Sequence, residues 1–374
     1  MIYFDNSATT QPHPEVLQSY QQAATRYFAN PSSVHQLGLE AEKLMEKTRE
    51  SISDRLDVLP EEVVYTSGGT EANNIAVKGT AFQYRNRGKH LITTKVEHPS
   101  VMEAFKALEQ MGFEVTYVKV DHTGRVNPEE IKKVIRKDTI LISVMSVNNE
   151  IGTVQPIEEI GEIASHYPKL LFHVDHVQGV AKIPFSIRDF KVDLCTMSGH
   201  KIHGLKGTGL LYVRKGIRLF PLFHGGGHEG NLRSGTENLP GMVAFAKALR
   251  LVQEEKKDSH HHLMGIRNYL RKELSHFVKV NSPENGSPHI LNISIPGLKP
   301  EVVVHALAER DIYISTKSAC SSKEPDVSTV LAACGLDPEI TTSALRISLS
   351  YRNSMGEAEV FIKQLEEVIR YLKR

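Results

Sequence analysis

Apolar residues recur along the chain with two periods. Leu37, Ala41, Leu44, Met45, Ile52 and Leu56 keep a helical spacing behind the turn-rich string Asn30-Pro31-Ser32-Ser33, which predicts a helix over 37–56. Short apolar runs follow at 63–66, 91–94, 115–120, 140–145, 170–174, 194–197 and 210–213, each predicting a strand. Amphipathic stretches such as 101–111 and 128–136 separate most of them. Strand, helix, strand at this spacing predicts an α/β fold: a mainly parallel sheet of seven strands lying between helices. The rhythm changes near Pro240. Residues 242–274 read as a long helix interrupted by the polar run 254–262. Strands are then predicted at 289–295, 312–314 and 344–349, with a closing helix over 357–372, so a smaller α+β domain is expected beyond a boundary near 255. No internal repeat or low-complexity tract interrupts the pattern.

Composition narrows the class. A chain of 374 residues can enclose more than one core. Its 45 basic and 44 acidic residues nearly cancel, so charge predicts neither nucleic-acid binding nor attachment to an anionic membrane. No apolar run approaches the roughly 20 residues of a membrane helix. The start Met1-Ile2-Tyr3-Phe4-Asp5 does not read as a signal peptide. Three cysteines (Cys195, Cys320, Cys334) are too few for a disulfide framework and suit a reducing compartment, so a cytoplasmic enzyme is expected.

Candidate chemistry gathers at strand ends, where open parallel sheets bind ligands. Ser67-Gly68-Gly69-Thr70 follows one strand and opens a helix, offering backbone N–H groups and a hydroxyl to an anion; alone it is an ordinary strand-to-helix turn. His98, Asn148-Asn149, Asp175 and Ser198-Gly199-His200-Lys201 follow four further strands. Asp175 could compensate a cationic ring nitrogen or simply cap a helix. A desolvated lysine can lose its proton and attack a carbonyl; Lys201 is favoured over nearby Lys206 because Ser198 and His200 could hold a phosphate beside it. The glycines between 204 and 209 lack dinucleotide-loop or P-loop spacing and read as a turn. Cys320 lies in the small, polar string Ser318-Ala319-Cys320-Ser321-Ser322-Lys323-Glu324-Pro325, which predicts an exposed, mobile loop with Lys317 and Lys323 favouring the thiolate. Cys195 and Cys334 sit in apolar surroundings and read as buried small hydrophobes. Neither His260-His261-His262 nor the pair His224 and His228 has the geometry of a metal site, and no metal is expected.

These motifs, in this order, resemble the cysteine desulfurases of the NifS/IscS type. The likeness is carried by the stretch 3–10 (Tyr3-Phe4-Asp5-Asn6-Ser7-Ala8-Thr9-Thr10), Asn30 to His35, Thr66 to Asn74, Glu97-His98, Val147 to Thr153, Asp175 to Gln178 and Ser198 to Lys201. It continues through Arg233 to Asn238, Ser318-Ala319-Cys320 and Leu345 to Ser348, and so covers essentially the whole chain. The resemblance implies the fold type I architecture of pyridoxal-phosphate-dependent transferases. On this reading a large domain spans 14–255, and a small one is made of 1–13 with 256–374 and carries the cysteine loop.

It also implies roles. Lys201 would hold pyridoxal phosphate and take the substrate α-proton; Asp175 would pair with the ring nitrogen, Gln178 with the ring hydroxyl, and His98 would lie over the ring and shuttle protons. Gly69, Thr70, Ser198 and His200 would bind the phosphate, and Thr236 would reach the phosphate of a neighbouring subunit in a homodimer. Arg346 and Asn149 would hold the carboxylate of L-cysteine. Cys320 would take the sulfur as a persulfide, release alanine, and pass the sulfur to an iron–sulfur scaffold or a tRNA-thiolating enzyme. His176, Lys317 and His228 depart from the family pattern without removing a role; the Cys-Ser-Ser-Lys string is similar to desulfurases of tRNA thiolation. A selenocysteine lyase or another aminotransferase-like enzyme of this fold is the alternative, and a silent assembly subunit would keep the fold without the chemistry.

Overall fold

The computed structural model describes residues 1–316 and 327–373, apart from the side chains of 256–259. In chain order, β1 (Ile2–Tyr3) leads to the helices α1 (Pro14–Arg26) and α2 (Gln36–Leu56). Strands and helices then alternate through β2 (Val63–Thr66), α3 (Gly69–Tyr84), β3 (His90–Thr94), α4 (Pro99–Gln110) and β4 (Glu114–Val118). The alternation continues with α5 (Pro128–Val134), β5 (Thr139–Met145), α6 (Ile157–Ser165), β6 (Leu171–Asp175), β7 (Leu194–Ser198) and β8 (Gly209–Val213). These seven strands after β1 form one sheet of order β2-β8-β7-β6-β5-β3-β4. Only β8 runs against its neighbours; the other pairs are parallel. All seven expected strands are present, their ends shifted by at most two residues.

Side-chain alternation explains how both faces are covered. Leu141, Leu171, Leu194 and Leu211 point to the face packed by α3 and α4, with Ala72, Ile75, Ala76, Ala104 and Phe105. Their neighbours Ile142, Phe172, Cys195 and Tyr212 point the other way, toward Ile157 and Ile160 of α6. Strands buried on both faces read as continuous apolar runs, which is why they were visible in the sequence. Gly79 lets α3 approach closely, since a Cβ there would stand 3.1 Å from the Phe220 carbonyl oxygen.

The remainder begins with α7 (Leu239–Leu274) and β9 (Lys279–Val280), followed by β10 (Ile290–Ser294), α8 (Pro300–Ala308) and β11 (Ile312–Tyr313). It ends with α9 (Thr329–Ala333), α10 (Pro338–Thr341), β12 (Ala344–Ser348) and α11 (Met355–Leu372). β12, β10 and β9 make an antiparallel sheet, and β1 pairs in parallel with β11. A second core forms here from Leu291, Ile293, Leu345 and Ile347 with Val303, Phe361 and Leu365. Phe4 meets Phe361 edge-on at 5.5 Å between ring centroids, so the first residues of the chain are packed into this late-sequence core. A capping box starts α11: the Ser354 hydroxyl accepts from Glu357 N–H at 3.2 Å, and the Glu357 carboxylate accepts from Ser354 N–H at 2.8 Å.

The interruption expected over 254–262 does not occur, and α7 runs unbroken for 36 residues. That stretch contains no Gly or Pro, and Glu and Lys are good helix formers, so polarity alone does not end the helix. The N-terminal part of α7 (Phe245, Ala248, Leu249, Val252) packs in the first core and its C-terminal part (Leu263, Ile266, Leu270) in the second. Residue 255, where a boundary was expected, lies inside this helix and between these two sets.

Candidate active site

β2, β3, β5, β6 and β7 point the same way, so their carboxyl ends open on one side of the sheet. A cleft of ≈ 700 Å³ lies there. It brings together Gly69 and Thr70 after β2, His98 after β3, Asn149 after β5, and Asp175 and Gln178 at the end of β6. Ser198, His200 and Lys201 reach it from the end of β7, and Arg346 from the middle of β12. Thr236 is not brought in; it is exposed and borders a separate cleft with Ser67 and Arg233. Cys320 and Lys317 lie outside the described residues.

One hydrogen-bonded chain orients the groups on the large sheet. Asp175 is 5 % exposed; its Oδ1 accepts from Val177 N–H at 3.0 Å and its Oδ2 from the Asn73 amide at 2.8 Å. The first of these bonds closes a turn, not the start of a helix as the competing reading of Asp175 expected, and the second leaves its carboxylate facing the cleft. Asn73 also donates to Ser100 Oγ at 2.8 Å, and Ser100 Oγ lies 2.8 Å from His98 Nδ1. Ser100 N–H donates to the same Nδ1 at 3.2 Å, so the neutral ring carries its proton on Nε2. Burial lowers the His98 pKa, the Asp175 charge opposing and Lys201 adding to the shift, which keeps the imidazole neutral near pH 7. Beneath it, burial raises buried Glu97 to about 8, a carboxyl held by the Thr94 hydroxyl at 2.7 Å and Met145 N–H at 3.1 Å.

Lys201 follows β7 after a single turn of 3-10 helix (Gly199–Lys201). Gly199 permits that turn, since a Cβ there would stand 2.2 Å from Thr208 Oγ1. The Lys201 ammonium donates to the backbone carbonyls of Ser7 and, at 2.8 Å, Ala8. Gln178 Nε2 donates to the same Ser7 carbonyl at 3.0 Å. Burial, with the nearby charge of Lys201, lowers Lys182 to about 7, and its amine donates to the Lys201 carbonyl at 3.2 Å. Burial also lowers His200 to about 3, with Lys201 adding to the shift, so His200 meets a ligand as a neutral donor or acceptor.

Arg346 is 1 % exposed. Its guanidinium donates to the Asn149 carbonyl at 3.0 Å and to Asp5 Oδ1 at 3.0 Å. Asn149 sits in a turn pinned by its neighbour: Asn148 Oδ1 accepts from the N–H groups of Glu150 and Ile151, and Asn148 Nδ2 donates to the Val96 carbonyl at 2.9 Å. Cys195 and Cys334 are both buried, as their apolar surroundings predicted, and burial raises both thiol pKa values. Among the described residues no group of three or more His, Cys, Asp or Glu side chains could hold a metal ion. Nor is any described helix long and apolar enough to cross a membrane.

Asn73, Ser100, Ser7 and Ala8 also border the cleft, although the sequence assigned none of them a role. A signal existed for Asn73, which lies three residues after Thr70 on α3 and so on the same helical face. Nothing local could mark the Ser7 and Ala8 carbonyls, whose partner Lys201 is more than 190 residues away.

The seven-stranded sheet, with this cleft at its strand ends, is the fold type I architecture of pyridoxal-phosphate-dependent transferases. Residues 2–361 match the family model of class-V aminotransferases, and the chain belongs to that family. It is 46% identical, over 100% of its length and 98% of the relative's, to a NifS/IcsS protein homolog of Lactobacillus delbrueckii subsp. bulgaricus. It is 40% identical to the cysteine desulfurase IscS of Methanosarcina thermophila, over 100% of this chain and 93% of that one. A solved NifS-like protein superposes with a TM-score of 0.94 at 39% identity, covering 99% of both chains.

Proposed function

We propose that this chain is a cysteine desulfurase that uses pyridoxal phosphate to convert L-cysteine into L-alanine and retains the sulfur on Cys320. The observation that carries the reading is the convergence of Lys201, Asp175, His98 and Arg346 on one cleft. The relatives named cysteine desulfurase support it, since the chain matches one of them along its whole length.

The cleft also fits the cofactor. Ser198 Oγ, Gln178 Oε1 and Arg346 Nε are buried and have no hydrogen-bond partner among the described residues. A phosphate would engage Ser198 Oγ, His200 and the first amides of α3 at Gly69 and Thr70. A ring hydroxyl would meet Gln178 Oε1, and a substrate carboxylate would meet Arg346 Nε, with Asn149 beside it. When bound, pyridoxal phosphate supplies an electron sink for charge developing at the substrate α-carbon.

The chain's own groups do the rest. Lys201 would hold the cofactor through its amine and move the proton at the substrate Cα. Asp175, fixed by Asn73, holds a proton on the pyridine nitrogen. His98, its proton on Nε2, would lie beside the cofactor and pass protons to and from the substrate. Cys320, assigned on sequence alone, attacks the substrate sulfur as a thiolate. An S–S bond forms, the C–S bond breaks, and the carbon keeps the electron pair and takes a proton to become alanine. The persulfide then passes to an acceptor, an iron–sulfur scaffold or a tRNA-thiolating enzyme, in the cytoplasm.

Thr236 completes this reading only in a homodimer, where it reaches the partner's phosphate. Exposed Phe28, Val34 and Phe223, at 72%, 93% and 45% exposure, support burial of this side of the chain against a second copy. The test is incubation of the holoenzyme with L-cysteine and a dithiol reductant, which releases the persulfide sulfur as sulfide, and measurement of alanine and sulfide. Equal amounts, lost together in Cys320→Ser, are expected. Retained turnover of selenocysteine by that variant would favour a selenocysteine lyase instead.

A further inference from the structure

Buried guanidinium groups take the orientation their acceptors impose, because an unpaired cation away from water is costly. Arg346 has two such acceptors, from opposite directions in the sequence. The Asn149 carbonyl takes a proton from Nη1 at 3.0 Å, and Asp5 Oδ1 takes one from Nη2 at 3.0 Å. Of the three guanidinium nitrogens, Nε is buried and has no partner among the described residues. Arg346 lines the cleft, whereas Asp5 does not; the Asp5 carboxylate, 19% exposed, stands behind the guanidinium.

Asp5 is itself held on every side. Phe4 N–H donates to the Tyr313 carbonyl at 2.8 Å, and Asn6 N–H donates to the Ser348 carbonyl at 3.2 Å. Ser348 N–H returns a bond of 2.7 Å to the Phe4 carbonyl, and Ala8 N–H donates to the Asp5 carbonyl at 3.0 Å. Its carboxylate Oδ1 accepts a second bond, from Ser315 Oγ at 2.7 Å. Ser315 in turn pairs with Arg346 through both backbone groups, at 2.7 and 3.2 Å. Asp5, Ser315 and Arg346 thus form a closed ring of four hydrogen bonds from three distant parts of the chain.

We propose that Asp5 is a positioning residue for the substrate carboxylate. It fixes the guanidinium plane of Arg346 so that Nε–H and a neighbouring proton point into the cleft as a two-point fork. The inference rests on the reading of Arg346 as the carboxylate site and adds the group that aligns it. Two effects of Asp5 oppose one another. Its negative charge repels an incoming carboxylate, while its hydrogen bond removes the rotational freedom that a long side chain would otherwise lose on binding. Two-point recognition depends on planar alignment, and the alignment dominates because the charge of Asp5 is already neutralised by Arg346 at contact distance.

The test compares ligands that differ only in the carboxylate. Calorimetric titration of the holoenzyme with L-alanine and with ethylamine separates that group from the rest of the substrate. Asp5→Ala should weaken L-alanine about tenfold or more and leave ethylamine unchanged. Asp5→Asn keeps an acceptor oxygen in place and should restore L-alanine to within about threefold of wild type. With cysteine as substrate, Asp5→Ala should raise KM while kcat changes less. Should Asp5→Ala not fold, Asp5→Glu carries the same comparison, since it keeps the charge but displaces the carboxylate by one methylene. Equal weakening of both ligands, or no weakening of L-alanine, would overturn the assignment. Failure of the wild-type enzyme to release sulfide from cysteine, with the ligand pattern intact, would sink the desulfurase reading and leave that of Asp5 standing.

Discussion

The two sides of the cleft are built differently. On the large sheet, Asp175, His98 and Lys201 stand at the carboxyl ends of β6, β3 and β7, all on one side of the sheet, and Asp175 and His98 are joined through Asn73 and Ser100 into one network. On the small-sheet side, Arg346 comes from the middle of β12 and depends on Asp5 and Asn149, which lie 341 and 197 residues away. The first arrangement suits groups that move protons, because strand ends of a single sheet hold them in fixed register. The second suits a binding group, since its position depends on how the second core and the N-terminal segment meet the first. The difference predicts that large-sheet substitutions act on kcat and small-sheet substitutions on KM.

The largest effect is expected on the large sheet. Lys201→Ala should lower alanine release from cysteine by about 10³-fold or more, and an assay of alanine under saturating cysteine with a dithiol reductant measures it. His98→Ala should lower kcat by about 10²-fold with little change in KM. Its pH profile sharpens the point. Because burial depresses the His98 pKa below 6.5, the neutral ring should persist to lower pH than in a free histidine, and the acid limb it governs should lie below pH 6.5.

On the other side, Arg346→Ala should raise KM for cysteine by about 30-fold or more while kcat falls less. An equal loss in kcat would break the comparison. The smallest and slowest change concerns stability. His173 and His200 are lowered to about 3 and His203 to about 4, in each case chiefly by burial, so the unfolded chain binds protons that the native chain does not. The stability these three histidines contribute should therefore be full above about pH 6.5 and fall as pH decreases through the window down to about pH 3. Urea unfolding at stepped pH reads this slope; a flat profile between pH 6.5 and 5 would contradict it.

The same contrast governs what was legible in the sequence. The seven strands were readable because each is buried on both faces and writes an unbroken apolar run. The strand-end residues were readable because candidate groups recur after five such runs, whose ends converge on one crevice. Short β1 and β9, of two residues each, carry no such pattern. The continuity of α7 was hidden because polarity was read as a break where only Gly or Pro would have made one. Asp5 and Ser7 stood in a recognisable N-terminal motif, yet their partners Arg346 and Lys201 could be found only once the chain had closed on itself. Roles carried by one element and its neighbours could be read; roles carried by contacts between the two cores could not.

The central claim is that sulfur leaves the cleft on Cys320 rather than as free sulfide or on another thiol. Peptide mass spectrometry of the holoenzyme after brief exposure to L-cysteine, without added reductant, tests it directly. One additional sulfur atom on the peptide containing Cys320, and none on those containing buried Cys195 or Cys334, is the expected result. An unmodified Cys320 in enzyme that has produced alanine would contradict the account.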